Sequence, residues 1–340
     1  MTEYARMASP ERSGCRTRVG AAVDVGSNSV HLVVGLVGAS GVRALVDESE
    51  LLGLGDVVDR EGHIPTDSCD AIVRTLERYA ATSAAYGAES VTFVATEPLR
   101  RATNSADVLA RVLAATGRPL HVLSHEAEAR LTLLGVTGGV PGGNALMVVD
   151  IGGGSTEIIS IDVGSAEPMV GVLPTGSSRL TKALVVHDPP TWFEINALRA
   201  EAKRLVDGLQ ARPPADGPVR CVMVGGTASN LVKLVSGPVV GGSARTVGGL
   251  VRKIDLADLP ASFDLLAREP ADALVIRFAV NRRRAGQLTA GAALVEALMV
   301  RYGVSRAEIS AASLREGTIV AVAEAGDEWP AWFDRSAARG

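Results

Sequence analysis

The sequence predicts an α/β protein made of two domains with one repeated plan, facing each other across a cleft. Three observations predict it. The first is a turn that occurs twice, in AAVDVGSNSVHLVV and in LMVVDIGGGSTEIIS, with Asp24 and Asp150 lying 126 positions apart. Each copy is an apolar strand ending in Asp-x-Gly, a small-residue turn and a second apolar strand. Aligned on the aspartates, Ser29 falls on Ser155 and His31 on Glu157. A repeated unit of this kind implies two similar domains. The second observation is the order of elements, which begins again at Leu146. The third is bulk: 340 residues that are 47% hydrophobic can fill two cores, and only 4% aromatics means cores of Val, Leu, Ala and Ile.

Strands at 19–25 and 30–37 flank the first turn, and 42–47 makes a third. Residues 48–62 read as a loop near the cleft. A helix follows at 66–86, with Thr66 as N-cap and Gly87 past its end. Then come a buried strand at 91–96, a helix at 104–116 that stops at Gly117, and a strand at 119–123. This β-β-β-α-β-α-β order is that of a ribonuclease H-like unit. It restarts at Leu146 with strands 146–151, 157–162 and 168–173, helix 191–209, strand 219–224 and helix 227–235. Between the halves lie a helix at 125–135 and the glycine-rich TGGVPGG at 137–143, the best linker. A long helix at 285–303 with small residues on one side, a strand at 307–311 and a helix at 314–325 close the pattern. The expected division is a disordered tail at 1–18, domains at 19–137 and 138–327, and a polar tail at 328–340.

A net charge of −4 predicts no bulk attraction to nucleic acid or to a membrane surface. The few aromatics argue against stacking on single strands. Arg100-Arg101, Arg179 with Lys182, Arg252-Lys253 and Arg282-Arg283-Arg284 form local basic clusters, most of which read as solvated faces. Cys15, Cys69 and Cys221 are far apart with no CxxC, so neither zinc nor a disulfide framework is expected, and a reducing cytoplasm fits. Cys221, inside an apolar strand, reads as a small core residue. No apolar run reaches the ~18 residues of a membrane span, and the polar start lacks the apolar core of a signal peptide.

The chemistry sits in the turns. An Asp at a strand end presents a carboxylate to a divalent cation or its waters. Glycines let the backbone approach a ligand, successive N–H groups make an anion nest, and Ser and Thr add donors. No GxxxxGK[ST] occurs, and both turns lead into a strand, which excludes a dinucleotide fingerprint. A third glycine turn, CVMVGGTASNLVKL, runs from a strand through Gly225-Gly226-Thr227 into a helix, whose N-terminus attracts anions.

Six segments in order resemble the exopolyphosphatase/guanosine pentaphosphate phosphohydrolase family, of the sugar kinase, actin and chaperone ATPase superfamily. They are DVGSNS at 24–29, ATEPLRRATN at 95–104, HEAEARLTLLGV at 125–136, DIGGGSTE at 150–157, GGTASNL at 225–231 and SLREG at 313–317. The resemblance implies Glu128 as general base; its other reading is a carboxylate that merely stabilises the first turn of a helix capped by Ser124. It implies Asp24, Asp150 and Glu157 as holders of Mg²⁺ or Mn²⁺. Ser27, Asn28, Ser29, Gly152, Gly153, Gly154, Ser155, Thr156, Gly226 and Thr227 would bind phosphate oxygens, with Arg100 as the charged contact. Arg101 and Arg282–Arg284 read more readily as solvent-facing. The implied activity is removal of terminal orthophosphate from inorganic polyphosphate. Hydrolysis of guanosine pentaphosphate is the close alternative, and a nucleotide-binding kinase-like or regulatory protein the second. Larger members add a helical domain with a His-Asp motif; His187-Asp188 here reads as loop, so the short two-domain form is expected, as a cytoplasmic homodimer preferring short chains. The chain departs from the family pattern at His31, Leu51 and Glu97-Pro98.

Overall fold

The computed structural model describes residues 18–39, 41–139, 145–162, 168–210, 219–237 and 252–331. The expected first tail lies outside them except for Arg18, as do most of TGGVPGG and residues 332–340 of the last tail. The chain divides into two compact units, residues 1–142 with 312–340, and residues 143–311.

In the first unit β1 (Arg18–Val25), β2 (Ser29–Gly38) and β3 (Gly41–Leu51) form an antiparallel meander. β4 (Val91–Ala95) pairs parallel to β1, and β5 (Leu120–Val122) parallel to β4, giving the order β3-β2-β1-β4-β5. This is the expected ribonuclease H-like order. α2 (Thr66–Ala85) and α4 (Ser105–Thr116) are connecting helices and bury Ile72, Leu76, Tyr79, Val108 and Val112 against Val23, Leu32 and Phe93.

Residues 48–62 are not a loop. β3 continues to Leu51 and α1 (Leu54–Glu61) follows, entered through Gly53 in the left-handed region at φ 65°. Gly53 and Gly55 hide the helical period, yet Leu54 and Val58 are buried on one face. A short helix, α3 (Glu97–Arg101), and α5 (His125–Thr137) complete the first stretch of this unit.

The last helix, α13 (Leu314–Ala325), belongs with the first unit and not, as expected, with the second. The reason is packing. Ile319 fills the space over Gly20 of β1 and joins Ala22, Val33 and Val37 in one cluster. α13 also crosses α5 where Gly135 meets Ser313 and Gly317 meets Leu131, both helices baring backbone to each other. The tail expected at 328–340 is packed near its start, where Trp329 is 4% exposed and edge-on to His121 at 5.2 Å.

The second unit repeats the plan. β6 (Leu146–Ile151), β7 (Thr156–Ile161) and β8 (Met169–Leu173) form the meander; β9 (Arg220–Val224) pairs parallel to β6 and β11 (Arg306–Ile309) parallel to β9. An additional strand, β10 (Arg252–Asp255), pairs antiparallel at the edge. Helices α6 (Ser177–Leu184), α7 (Trp192–Asp207), α8 (Gly225–Val235), α9 (Leu259–Leu266), α10 (Ala271–Phe278), α11 (Arg282–Ala285) and α12 (Leu288–Arg301) surround the sheet. α12 is almost wholly buried, and Gly291 on it leaves room for the Thr227 methyl. Cys221 is buried in β9 as expected, its thiol pushed up to about 12 by burial. No described helix is long and apolar enough to cross a membrane.

His187-Asp188 lies in a loop, as read from the sequence. Glu194 organises that loop, accepting from the N–H groups of Val186 (2.7 Å), His187 (3.2 Å) and Thr191 (2.8 Å), from Thr191 Oγ1 (2.9 Å) and from His187 Nδ1 (3.0 Å). Burial pushes the carboxyl up, but these donors outweigh it and hold it below the usual range. A depressed carboxyl stabilises the fold above its unfolded value of 4.5 and loses that contribution as pH falls through the folded one. Glu194→Gln is therefore expected to lower the thermal midpoint at neutral pH, with the gap to wild type closing in melts at successively lower pH below 4.5.

Candidate functional site

The two aligned turns close with the same bond: Gly26 N–H donates to Ser29 O, and Gly152 N–H to Ser155 O, both at 3.0 Å. In the second unit the carbonyls that follow all point one way. Gly152 O accepts from Ser177 N–H at 3.0 Å and Oγ at 3.2 Å. Gly153 O accepts from the N–H groups of Ser178 (3.0 Å) and Arg179 (3.3 Å), and Gly154 O from Arg179 Nη1 (2.8 Å). In a planar trans peptide the N–H points opposite to the C=O. The amides of Gly153, Gly154 and Ser155 therefore face away from 177–179, and they meet no acceptor among the described residues. Three convergent N–H groups make a nest for an anion. Gly176 lets the supporting segment come this close, since a Cβ there would overlap the Gly152 carbonyl.

The first unit uses the same device with different supports. Ser27 O accepts from Gly55 N–H at 2.8 Å, and Asn28 O from Gly53 N–H at 3.0 Å. The amides of Asn28 and Ser29 are thereby turned away from 53–55. The Ser27 hydroxyl donates to Glu97 Oε2 at 2.7 Å, and Asn28 is buried.

The aspartates also occupy matching places. Asp24 and Asp150 pair parallel with Val94 and Val224. Across the antiparallel pair Asp24 faces His31, and Asp150 faces Glu157. Directly opposed residues share one face of a sheet. Asp150 and Glu157 thus form a carboxylate pair, with Glu157 only 2% exposed and Thr156 anchored to Thr175 O at 3.0 Å. These hard oxygen donors suit Mg²⁺ or Mn²⁺, and Gly225 (φ 83°) leaves room, since a Cβ there would lie 2.5 Å from Asp150 Oδ1. In the first unit His31 Nε2 is 2.5 Å from Asp47 Oδ1, and this hydrogen bond holds the Asp47 carboxyl below its usual range.

Glu128 sits in the first turn of α5, whose N-cap Ser124 accepts from Ala127 N–H at 3.1 Å. It accepts from Arg100 Nη1 at 2.7 Å; the same nitrogen donates to Leu123 O at 2.8 Å, and Arg100 Nη2 lies 3.1 Å from His125 Nδ1. Burial, then Arg100, pushes the His125 ring below its usual value, so it is neutral at neutral pH and Nδ1 is the acceptor. Arg100, expected to face phosphate, is therefore engaged with the carboxylate expected to face water.

Gly226 and Thr227 open α8, and Thr227 Oγ1 is 3.2 Å from Ser177 Oγ, so this third turn adjoins the segment that supports the second. Arg282 and Arg283 are exposed, as expected, but Arg284 is not a solvent-face residue. Its guanidinium lies over Gly226, where a Cβ would be 2.8 Å from Nε, Cζ and Nη2. Burial pushes it down while Asp150 opposes that shift, and Nη1 is buried with no hydrogen-bond partner among the described residues. A run of three arginines gives no signal for which one turns inward. Glu97, Gly53, Gly55 and the segment 176–179 were likewise not singled out as supports. Only the last carried a signal, since TGSSR is itself a glycine turn leading into a helix.

Residues 33–325 match the model of the Ppx/GppA phosphatase family. Exopolyphosphatase 1 of Mycobacterium tuberculosis is 32% identical over 310 residues, spanning 88% of this chain and 86% of that one. Exopolyphosphatase 2 of the same organism is 28% identical over 324 residues, spanning 90% and 99%. The crystal structure of the Aquifex aeolicus Ppx/GppA family member has a TM-score of 0.76 at 26% identity, covering 92% of this chain and 99% of that one. With the two sheet orders, these likenesses place both units in the ribonuclease H-like, actin-type fold.

Proposed function

We propose, because this chain belongs to the Ppx/GppA phosphatase family and is a phosphoanhydride hydrolase, that it is an exopolyphosphatase releasing terminal orthophosphate from inorganic polyphosphate. The observation that carries this reading is the row of three amides at Gly153, Gly154 and Ser155, whose carbonyls are all tied back to 177–179. Such a row binds the oxygens of a phosphate and suits charge that spreads over them in the transition state.

In this reading Glu128 is the general base. Arg100 holds it in place through Nη1, while its Nη2 occupies His125 Nδ1. The nest of 153–155 and the start of α8 at Gly226 and Thr227 take phosphate oxygens. Arg284 supplies a charge-assisted contact through Nη1, the donor that has no hydrogen-bond partner among the described residues. Asp150 and Glu157 in the second unit, and Asp24 in the first, are the proposed holders of Mg²⁺ or Mn²⁺, which when bound neutralises charge on the transferred phosphoryl group. Short chains are the proposed preference. His31 is committed to Asp47, Leu51 is uncharged and Glu97 is anionic, so none of the three adds positive charge for a long polyanion.

The test is phosphate release from short polyphosphate, long polyphosphate, guanosine pentaphosphate and ATP, each with Mg²⁺ and with EDTA. Release from short polyphosphate above the others, abolished by EDTA, is expected. Faster release from guanosine pentaphosphate would replace the substrate while keeping the chemistry. No release from any of them by a folded chain would overturn the proposal.

A further inference from the structure

Glu97 is a buried carboxylate in contact with a loop that has to accept an anion, and the reading just given does not explain it. Its side chain is 6% exposed. Oε1 accepts from Arg101 Nη1 at 2.6 Å, and that same nitrogen lies 2.7 Å from Asp59 Oδ1, so Arg101 is spent on two carboxylates. Oε2 accepts the Ser27 hydroxyl at 2.7 Å. The direction of that bond follows from chemistry. An ionised carboxylate only accepts, so the single hydroxyl proton of Ser27 lies on the Glu97 side. Ser27 is also pinned from behind: its carbonyl is held by Gly55, and a Cβ on Gly55 would come within 2.9 Å of Ser27 Cβ.

What Ser27 Oγ has left to offer a ligand is lone pairs. A phosphate oxygen offers lone pairs as well, so the two cannot bond while Glu97 holds the proton. The complementary ligand is a donor. The strand end beside it carries Asp24, whose Oδ2 lies 3.6 Å from the place a Gly26 Cβ would take, so the same turn presents a carboxylate. A carboxylate in the same turn as a hydroxyl that can only accept suits the water shell of a small divalent cation, whose coordinated waters are strong donors.

We infer that Glu97 is a positioning residue: it turns Ser27 from a phosphate donor into an acceptor for the hydration shell of a divalent cation. This rests on the reading of the first turn as part of a phosphate-hydrolysing site, and it removes Ser27 from the residues that grip phosphate oxygens, leaving that turn only its backbone amides for them.

The test is Mn²⁺ binding to the full chain without substrate, followed by electron paramagnetic resonance with Mg²⁺ as competitor. Glu97→Ala is expected to weaken Mn²⁺ binding by about 10–100-fold, the usual loss when a residue that orients a metal's ligands is removed. Ser27→Ala should lose as much, and the double variant no more than either, because both act through the one Ser27 hydroxyl. Glu97→Gln keeps an acceptor for the hydroxyl and should restore most of the affinity, which also guards against an Ala variant that fails to fold. Mn²⁺ titrations of folded Glu97→Ala that superimpose on wild type would overturn the inference. So would additive losses, or a Ser27→Ala variant whose only defect is a raised KM for polyphosphate. Wild-type protein that binds Mn²⁺ in this pattern yet releases no phosphate would sink the proposed activity alone.

Discussion

Glu128→Gln is expected to cut phosphate release from polyphosphate by about 10²–10⁴-fold, the usual contribution of a general base, while leaving polyphosphate binding unchanged. The substitution is close to isosteric. A Gln amide oxygen still accepts from Arg100, and the N-cap bond from Ala127 N–H to Ser124 is untouched, so α5 keeps its start. What disappears is the basic carboxylate. The competing role, a negative charge at a helix N-terminus, is worth about 0.3–1 kcal/mol of stability and nothing in turnover. Single-turnover phosphate release beside equilibrium binding separates the two. A variant that turns over normally with a slightly lower melting temperature would assign Glu128 to the helix and leave the base unidentified.

Gly317→Ala is expected to be the most damaging single methyl group in the described structure. A Cβ there would overlap the Leu131 carbonyl, with Gly135 N 2.9 Å away. These are backbone atoms of a neighbouring helix, so no side chain can rotate clear and α5 and α13 must separate. Overpacking of this kind costs about 1–3 kcal/mol or more, which for a unit of this size corresponds to a thermal midpoint lower by roughly 3–10 °C. Because Glu128 rides on α5, kcat should fall as well, at temperatures where the protein is still folded. A melting curve that overlays wild type would show that the helices have slack at the crossing.

The meanders were legible because their signal is local. Strands around Asp24 and Asp150 are apolar runs bounded by glycine turns, and the alignment of His31 with Glu157 between the two copies reappears in the structure, where each lies opposite its own aspartate. The missed helices have a common cause. α1 carries a glycine in its first turn, α3 begins Glu-Pro, and α6 and α9 to α11 are eight residues or fewer, too short for a 3.6-residue period to stand out. The placement of α13 is a tertiary fact: Gly20, Gly135 and Gly317 are ordinary glycines until the chain brings them together. The site divides in the same way. Glycines and aspartates of the turns could be named because residue type and local spacing define them. Their supports could not, since Gly53–Gly55 and Ser177–Arg179 act through backbone N–H groups that any residue but proline possesses. Arg284 is one of three identical neighbours, and only the turn of α11 decides which guanidinium reaches Gly226.

Because α13 completes the first unit, residues 143–311 are inserted within that unit's sequence. On a ribosome that synthesises from the N-terminus, the two units mature in the opposite order to their appearance. The first sheet emerges early, but Ile319 over Gly20, and Leu314 and Val320 beside Val94 and Leu131, arrive only after the second unit has been made. The second unit, contiguous in sequence, has all its core residues in hand before then. The half of the protein that carries Glu128 is thus the last to close.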